Sequence, residues 1–556
     1  MVIPLTRSLT PQIARKTLSL KGCVKNERSR RCTPWLRTSS TTCVVRLAII
    51  SFLTATRFMA DLIRDSLTLN KPENNNHRKL LLGLAVFSLT SGCAIQSYEP
   101  KPIAPASISA EFSQRSLDSA DLRAYMVAQG YPENKLPVQQ WGLRELTLLA
   151  LFFHPQLEVA RAQWRTAQAA ETTAGHKPNP SISGSAEHHS KTNGGISPWT
   201  LSIGLGIPIE TGGKRQARID QATALSEAAR IEIGQSAWQI RSRLSSSLLD
   251  YQAAMQQVAL LQNEVSIRSE IVQMLQKRLD VGMVSDIDLS EARLLQQKAQ
   301  QTLQTEAGRI PELRAAIAAA AGLPAQALDK AQLASSPVEA LPSASLPSEE
   351  IQRAALLNRL DIRSALSRYA SAEAKLQLEI AKQYPDITLG PGYSFDQGDN
   401  IWSLGLSLIL ALLNKNEGPI AEARAQREAE ASQFYALQTR VIGEQEQALA
   451  RYRAALEEEA KAKQLVAAQQ QRIAQTERQF EAGYTDRLEL TTTRLELLSA
   501  QQAVLAASIK AQRAMASLED AIQRPLDGDE SWTVNKDTAT IEQDATTTIS
   551  HGESTP

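Results

Sequence analysis

The chain has 556 residues, more than one ordinary core accommodates. Its 60 Lys and Arg almost cancel 59 Asp and Glu, so no global field draws in nucleic acid, and four Cys over this length exclude a disulfide scaffold. Mean hydropathy is −0.25, and no run reaches the roughly 18 apolar residues of a transmembrane helix.

The start of the chain is unlike the rest. Residues 1–92 carry 15 Lys and Arg against four Asp and Glu, a balance of +11 that leaves the remainder near −10. His77-Arg78-Lys79 leads into an apolar run from Leu80 to Leu89, followed by Thr90-Ser91-Gly92-Cys93. A basic head, a short apolar centre and small residues before a cut describe an export signal. Ending on Gly-Cys, it resembles a bacterial lipoprotein signal, with Thr90 where Leu is usual. That resemblance implies that Cys93 is lipidated and becomes the mature N-terminus. Ala94 in place of Asp implies the outer membrane. Residues 1–58, which hold Cys23, Cys32 and Cys43, read as an over-extended start, with Met59 as initiator.

Beyond an N-terminal segment over 93–153, the chain repeats itself. Residues 154–184 and 359–389 align without a gap at a shift of 205. Ala160 meets Ala365, Trp164 meets Tyr369, Lys177 meets Lys382, Pro180 meets Pro385 and Ile182 meets Ile387. Two copies fill 154–323 and 359–526. A Pro-rich linker over 324–358 separates them, and a polar tail over 527–556 follows.

Each copy follows one plan. A helix of about 24 residues ends at Pro180 or Pro385. Two strands follow, over 181–189 and 199–209 in the first copy and 386–395 and 401–410 in the second. From Trp199, Leu201, Ile203, Leu205, Ile207 and Ile209 alternate with Thr, Ser, Gly and Pro. Trp402, Leu404, Leu406, Leu408 and Leu410 do the same in the second copy. A period of two with one apolar face is strand alternation. Long helices follow, from Lys214 to Leu279 and from Pro419 to Phe480, each about 65 residues and about 100 Å long. Gly282 and Gly483 reverse the chain, and helices of about 35 residues return.

Four strands with a wholly apolar face make no soluble sheet, and four are too few to close a water-filled barrel. Lipid admits no open sheet edge. Several chains that each contribute four strands to one barrel resolve the conflict. The expected architecture is mainly α with a small β part. It comprises a long antiparallel α-helical barrel and a transmembrane β-barrel, built from two internal repeats.

The order of elements resembles the TolC family of outer membrane efflux proteins over about 98–526. The resemblance rests also on Arg278-Leu-Asp-Val-Gly-Met-Val-Ser-Asp-Ile-Asp-Leu-Ser-Glu-Ala292 and on Phe480-Glu-Ala-Gly-Tyr-Thr-Asp-Arg-Leu-Glu-Leu490. A third support is Leu413-Asn-Lys-Asn-Glu-Gly-Pro419, at the start of the second long helix. It implies a homotrimer with a 12-stranded barrel and a periplasmic tunnel, set among outer membrane lipid. It also implies partnership with a periplasmic adaptor and an inner-membrane transporter.

The resemblance places adaptor contacts at the periplasmic tips: Val281, Gly282, Met283, Ser285 and Asp286, and Gly483, Tyr484, Thr485, Asp486 and Arg487. The family closes its tip with acidic rings, which makes Glu489, with Asp288 and Glu291 of the first copy, the candidate gate carboxylates. Thr492 and Thr485 stand where the family has a second acid and a basic partner. His188 and His189 are adjacent on a strand and so face opposite ways, a poor geometry for one metal ion. No catalytic context, phosphate loop or Cys/His cluster points to an enzyme or a cofactor. A type I secretion exit duct and a structural envelope lipoprotein are the competing readings. The apolar strands argue against a plain rod.

Overall fold

Ala, Gln, Glu, Leu and Arg dominate the stretches after the hairpins, and these residues lose little freedom in a helix. The computed structural model describes residues 98–191, 194–334, 348–410 and 412–526. The chain divides after Pro102. Residues 98–102 are exposed and without regular structure, and every element below belongs to the unit that begins at Ile103. The export signal, Cys93, the tail and the middle of the linker lie outside the described residues.

The N-terminal segment carries α1 (Pro105–Gln114), α2 (Ala120–Ala128), the short strand β1 (Gln140–Trp141) and α3 (Leu143–Phe153). The first repeat follows with α4 (Pro155–Gly175), β2 (Ser181–His188), β3 (Trp199–Ile209), α5 (Lys214–Asp280) and α6 (Asp286–Ala321). Between the repeats lie β4 (Gln332–Leu333) and α7 (Ser348–Asn358). The second repeat carries α8 (Leu360–Ala381), β5 (Ile387–Asp396), β6 (Asp399–Leu408), α9 (Glu417–Glu481) and α10 (Arg487–Ile522). The plan read from the sequence therefore recurs twice. The first helices are slightly shorter than expected, at 21 and 22 residues, and end at Gly175 and Ala381, several residues ahead of Pro180 and Pro385.

The stretch between the repeats is more than a tether. β4 pairs in parallel with β1, which ties it back to the N-terminal segment. Leu328 is fully buried, and Ala355 of α7 is buried in the core of the second repeat. Proline density marks where regular structure breaks, and it carries no information about what packs between the breaks.

The stem helices α5 and α9 run 67 and 65 residues, about 100 Å each. Along α5 the buried residues Ala237, Ile240, Leu244, Leu248, Tyr251, Ala254, Val258 and Leu261 recur at steps of three and four. This is the seam of a helix packed lengthwise on others. Two apolar cores form, one per repeat. The first gathers Leu122, Leu146, Leu149, Ile240, Leu244, Ile317 and Leu328. The second gathers Ile362, Val441, Leu449, Tyr452, Met515 and Leu518. Both sit partway along the stem, at the level of the N-terminal segment and the linker.

Candidate functional site

The two hairpins join into one four-stranded antiparallel sheet in the order β2-β3-β5-β6. Residues directly opposite in a ladder share a face. Ile182 pairs with Leu205, and Ala186 with Leu201. Ile203 pairs with Tyr393, and Ile207 with Leu389. Leu389 pairs with Leu406, Pro391 with Leu404 and Tyr393 with Trp402. One face is therefore apolar across all four strands. Its residues are open: Ile182 is 73%, Leu404 77% and Trp402 82% exposed. Trp199 and Trp402 sit on this face near the turn end, against His188 and Tyr393 at ring distances of 4.8 and 5.0 Å.

The other face is small and polar. Ser183, Ser185, Ser202, Gly392 and Ser403 line a concavity there. At its turn end Glu187 pairs with Thr200, Thr200 with Asp396, and Asp396 with Asp399, a single row across the sheet. The Thr200 hydroxyl donates to Asp396 Oδ1 at 2.5 Å. The four strands contain no Lys or Arg. His188 lies on the apolar side against Trp199, whereas His189 Nε2 is 3.0 Å from the Thr200 hydroxyl, so the two rings do diverge. Among the described residues no cluster of His, Cys, Asp and Glu is able to hold a metal. β2 and β6 are the sheet edges, and among the described residues no strand pairs with either outer side.

Polar contacts between and within the repeats fix the start of each long helix beside the sheet. Lys214 Nζ, at the start of α5, reaches Asp386 Oδ1 at 2.8 Å and the Tyr384 carbonyl at 2.6 Å, just before β5. In the Asn-Lys-Asn motif, Asn416 takes a left-handed backbone, and its side-chain amide donates to the Glu379 carbonyl at 2.7 Å.

At the far end of the stem, Gly282 and Gly483 hold φ of +76° and +75°. A side chain at either is strained in this region, which is why both reversals use glycine. Ser285 and Asp486 cap the return helices, and Asp286 and Arg487 are the first residues of those helices. Val281, Met283, Thr485 and Tyr484 surround the turns, with Met283 76% and Tyr484 87% exposed. The tips thus present apolar side chains around a tight reversal.

The candidate gate carboxylates are engaged locally. Asp288 accepts from the Ser285 hydroxyl at 2.7 Å and the Ser285 amide at 2.9 Å, and those bonds hold its carboxyl below the usual range. The Glu489 carboxylate takes the Thr485 hydroxyl. Glu291 is exposed on α6. Thr492 turns its hydroxyl back onto the Leu488 carbonyl at 2.8 Å.

One contact was not anticipated from the sequence. Arg278 Nη2 meets Asp486 Oδ2 at 2.6 Å and links the two tips. Asp486 also accepts the Glu489 amide at 2.8 Å. That amide first, and Arg278 after it, keep the Asp486 carboxyl below the usual range. The motif contains a signal only in hindsight, since Gln479 occupies the equivalent position in the second repeat. The pair ends a polar seam between α5 and α10. Trp238 Nε1 and the Ser242 hydroxyl both donate to Asp520, at 2.7 and 2.8 Å. Arg241 pairs with Glu519 at 3.3 Å, Gln502 with Glu264 at 3.2 Å and Arg513 with Asp250 at 2.6 Å.

A sheet with one apolar face, set on two helices of about 100 Å, is the architecture of an envelope channel protein. The family model for outer membrane efflux proteins matches residues 148–323 and 351–523, and the chain belongs to that family. It is 26% identical over 261 residues to the cobalt-zinc-cadmium resistance protein CzcC of Cupriavidus metallidurans, covering 47% of this chain and 60% of that protein. It is 23% identical over 367 residues to the pyoverdine export outer membrane protein OpmQ of Pseudomonas aeruginosa, covering 61% of this chain and 70% of that one. The fold is similar to the outer membrane protein VceC of Vibrio cholerae, with TM-score 0.56 and 20% identity over 69% of this chain and 96% of that one. It is similar also to the CmeC channel of Campylobacter jejuni, with TM-score 0.56 and 16% identity over 72% and 88%.

Proposed function

We propose that the chain is the outer membrane channel of a tripartite efflux system. Three copies each supply four strands, and edge pairing of β2 on one copy with β6 on the next closes a 12-stranded barrel. The observation that carries this reading is the two-faced sheet with both edges open. Strands of 8 to 11 residues at about 3.3 Å per residue, tilted by about 45°, rise about 19 to 26 Å, and the longer three come close to an apolar band of about 25 Å. The apolar face meets lipid, the Ser- and Gly-rich face lines the lumen, and Trp199 and Trp402 lie at the headgroup level. The long helices carry the duct across the periplasm. The tips around Gly282 and Gly483, with Val281, Met283 and Tyr484 exposed, dock the periplasmic adaptor, which couples the duct to an inner-membrane pump. Cys93 carries the lipid anchor.

The charge on the polar face favours cations as cargo, because Glu187, Asp396 and Asp399 line it without a compensating Lys or Arg. The similarity to a metal-resistance protein points the same way. The test is single-channel recording of the purified full chain in planar bilayers. Discrete conductance steps with a reversal potential favouring cations are expected. Failure to conduct defeats the duct, and anion preference defeats the cargo assignment alone. Diacylglycerol on Cys93 is expected in mass spectra of the mature N-terminus, and a free thiol rejects the anchor.

A further inference from the structure

We propose that His154 is a pH-sensitive pin: its protonation releases the junction between α3 and α4, and with it the clasp that ties the N-terminal segment to the first repeat. His154 is the one residue between these helices. It ends α3 and caps α4, with an extended backbone at φ −74° and ψ 122°. Its amide donates to the Ala150 carbonyl at 2.7 Å, and its own carbonyl accepts from Leu157 at 3.2 Å. The ring is buried, at 8% exposure for the residue. Nδ1 accepts the Gln156 amide of the first turn of α4 at 3.2 Å.

That bond exists only while Nδ1 is unprotonated. In the imidazolium both ring nitrogens are donors, so two N–H groups would face each other. The new charge would also sit at the positive end of the α4 dipole. The charged groups acting on the ring from neighbouring elements are both cations, Arg243 of α5 and Arg115 from the segment after α1. On α4 itself, Glu158 lies one turn along and is engaged by Arg165 at 2.6 Å and Arg161 at 3.8 Å. Burial foremost, then Arg243 and Arg115, hold the imidazole below its ordinary value. An unfolded junction therefore takes up its proton at a higher pH than the folded one. The contribution of His154 is complete above about pH 6.5 and declines as pH falls below it.

The junction has reach because Arg115 closes around it. Arg115 Nη1 donates to the carbonyls of Phe153 and Gly322, at 2.8 Å each. Its guanidinium lies 5.3 Å from the Phe112 ring and 5.5 Å from the Phe153 ring. The ends of α1, α3 and α6 are thus gathered at one point beside the imidazole. A cation formed there repels the guanidinium that holds them together.

Hydrogen exchange on the full chain tests the proposal, from about pH 7.5 to about pH 5 and corrected for intrinsic exchange rates. Peptides covering 154–160 are expected to lose protection several-fold as pH falls, while those covering the tip at 281–287 do not. His154→Asn keeps an N-cap acceptor that does not titrate, so its protection is expected to stay flat. His154→Ser serves as a second non-titrating cap should the Asn variant fail to assemble. Flat protection in the unmodified chain, or an equal loss in the capped variants, overturns the proposal.

Discussion

The sheet and the helical stem sort apolar side chains in opposite directions. In the stem, Ile240, Leu244 and Leu518 are sealed between helices. In the sheet, Ile182, Leu404 and Trp402 point away from the protein, and the Ser and Gly residues crowd the concave side. Burial is relative to a solvent. The stem obeys the rule for water, and the proposed lipid contact inverts it over four strands. The inversion is confined to strands because no described helix is long and apolar enough to cross a membrane. The largest effect that sharpens this comparison is in the stem. Leu244→Ala removes a fully buried side chain from the first core, and a loss of about 2–5 kcal/mol is expected in thermal or denaturant unfolding. A negligible loss there would mean the stem does not rely on that core.

Next comes a matched pair on one strand. Leu404→Arg places a charge on the apolar face and is expected to cost about 2–4 kcal/mol of insertion into vesicles. Ser403→Arg, one residue earlier on the opposite face, is expected to insert normally and to weaken cation preference in bilayer recordings. Equal insertion defects would break the assignment of the faces. The smallest effects are at the tip. Asp486→Ala loses an N-cap and is expected to cost about 0.5–2 kcal/mol. Arg278→Ala loses only a half-exposed ion pair, worth under about 1 kcal/mol and less in salt. Because the Asp486 carboxyl is held low, its contribution is complete above the ordinary carboxylate value near pH 4 and is lost as pH falls below it, through the lower folded value. The difference between Asp486→Ala and the unmodified chain is therefore expected to vanish in acid. An undiminished difference would assign the effect to packing.

Much of this was legible because it is local. Period-two alternation marked β3 to the residue and β6 with a shift of two at each end, and Gly282 and Gly483 stand where the backbone takes a left-handed turn. The gapless alignment of the copies was matched by the same order of elements in each. What the sequence concealed is mostly long-range pairing. The β3–β5 ladder joins the two hairpins across nearly 200 residues, and nothing within either strand names its partner. The same holds for Arg278 with Asp486 and for the β1–β4 bridge. The helix α7 was hidden for a different reason, since the prolines around it overshadowed an 11-residue helical run.

The duplication, the strand and helix periods, the positions of the reversals and the family resemblance can all be read from the residues alone. The periods and reversals are written in residues near one another along the chain, and the duplication needs only two stretches of sequence laid side by side. Which distant segments meet is a tertiary outcome: the hairpins share one sheet, Arg278 reaches Asp486 across the two tips, and a polar seam links α5 to α10. Tertiary structure also decided that His154 lies buried beside Arg115. Those outcomes depend on which elements meet, and a side chain acquires its charge environment only when distant segments pack against it.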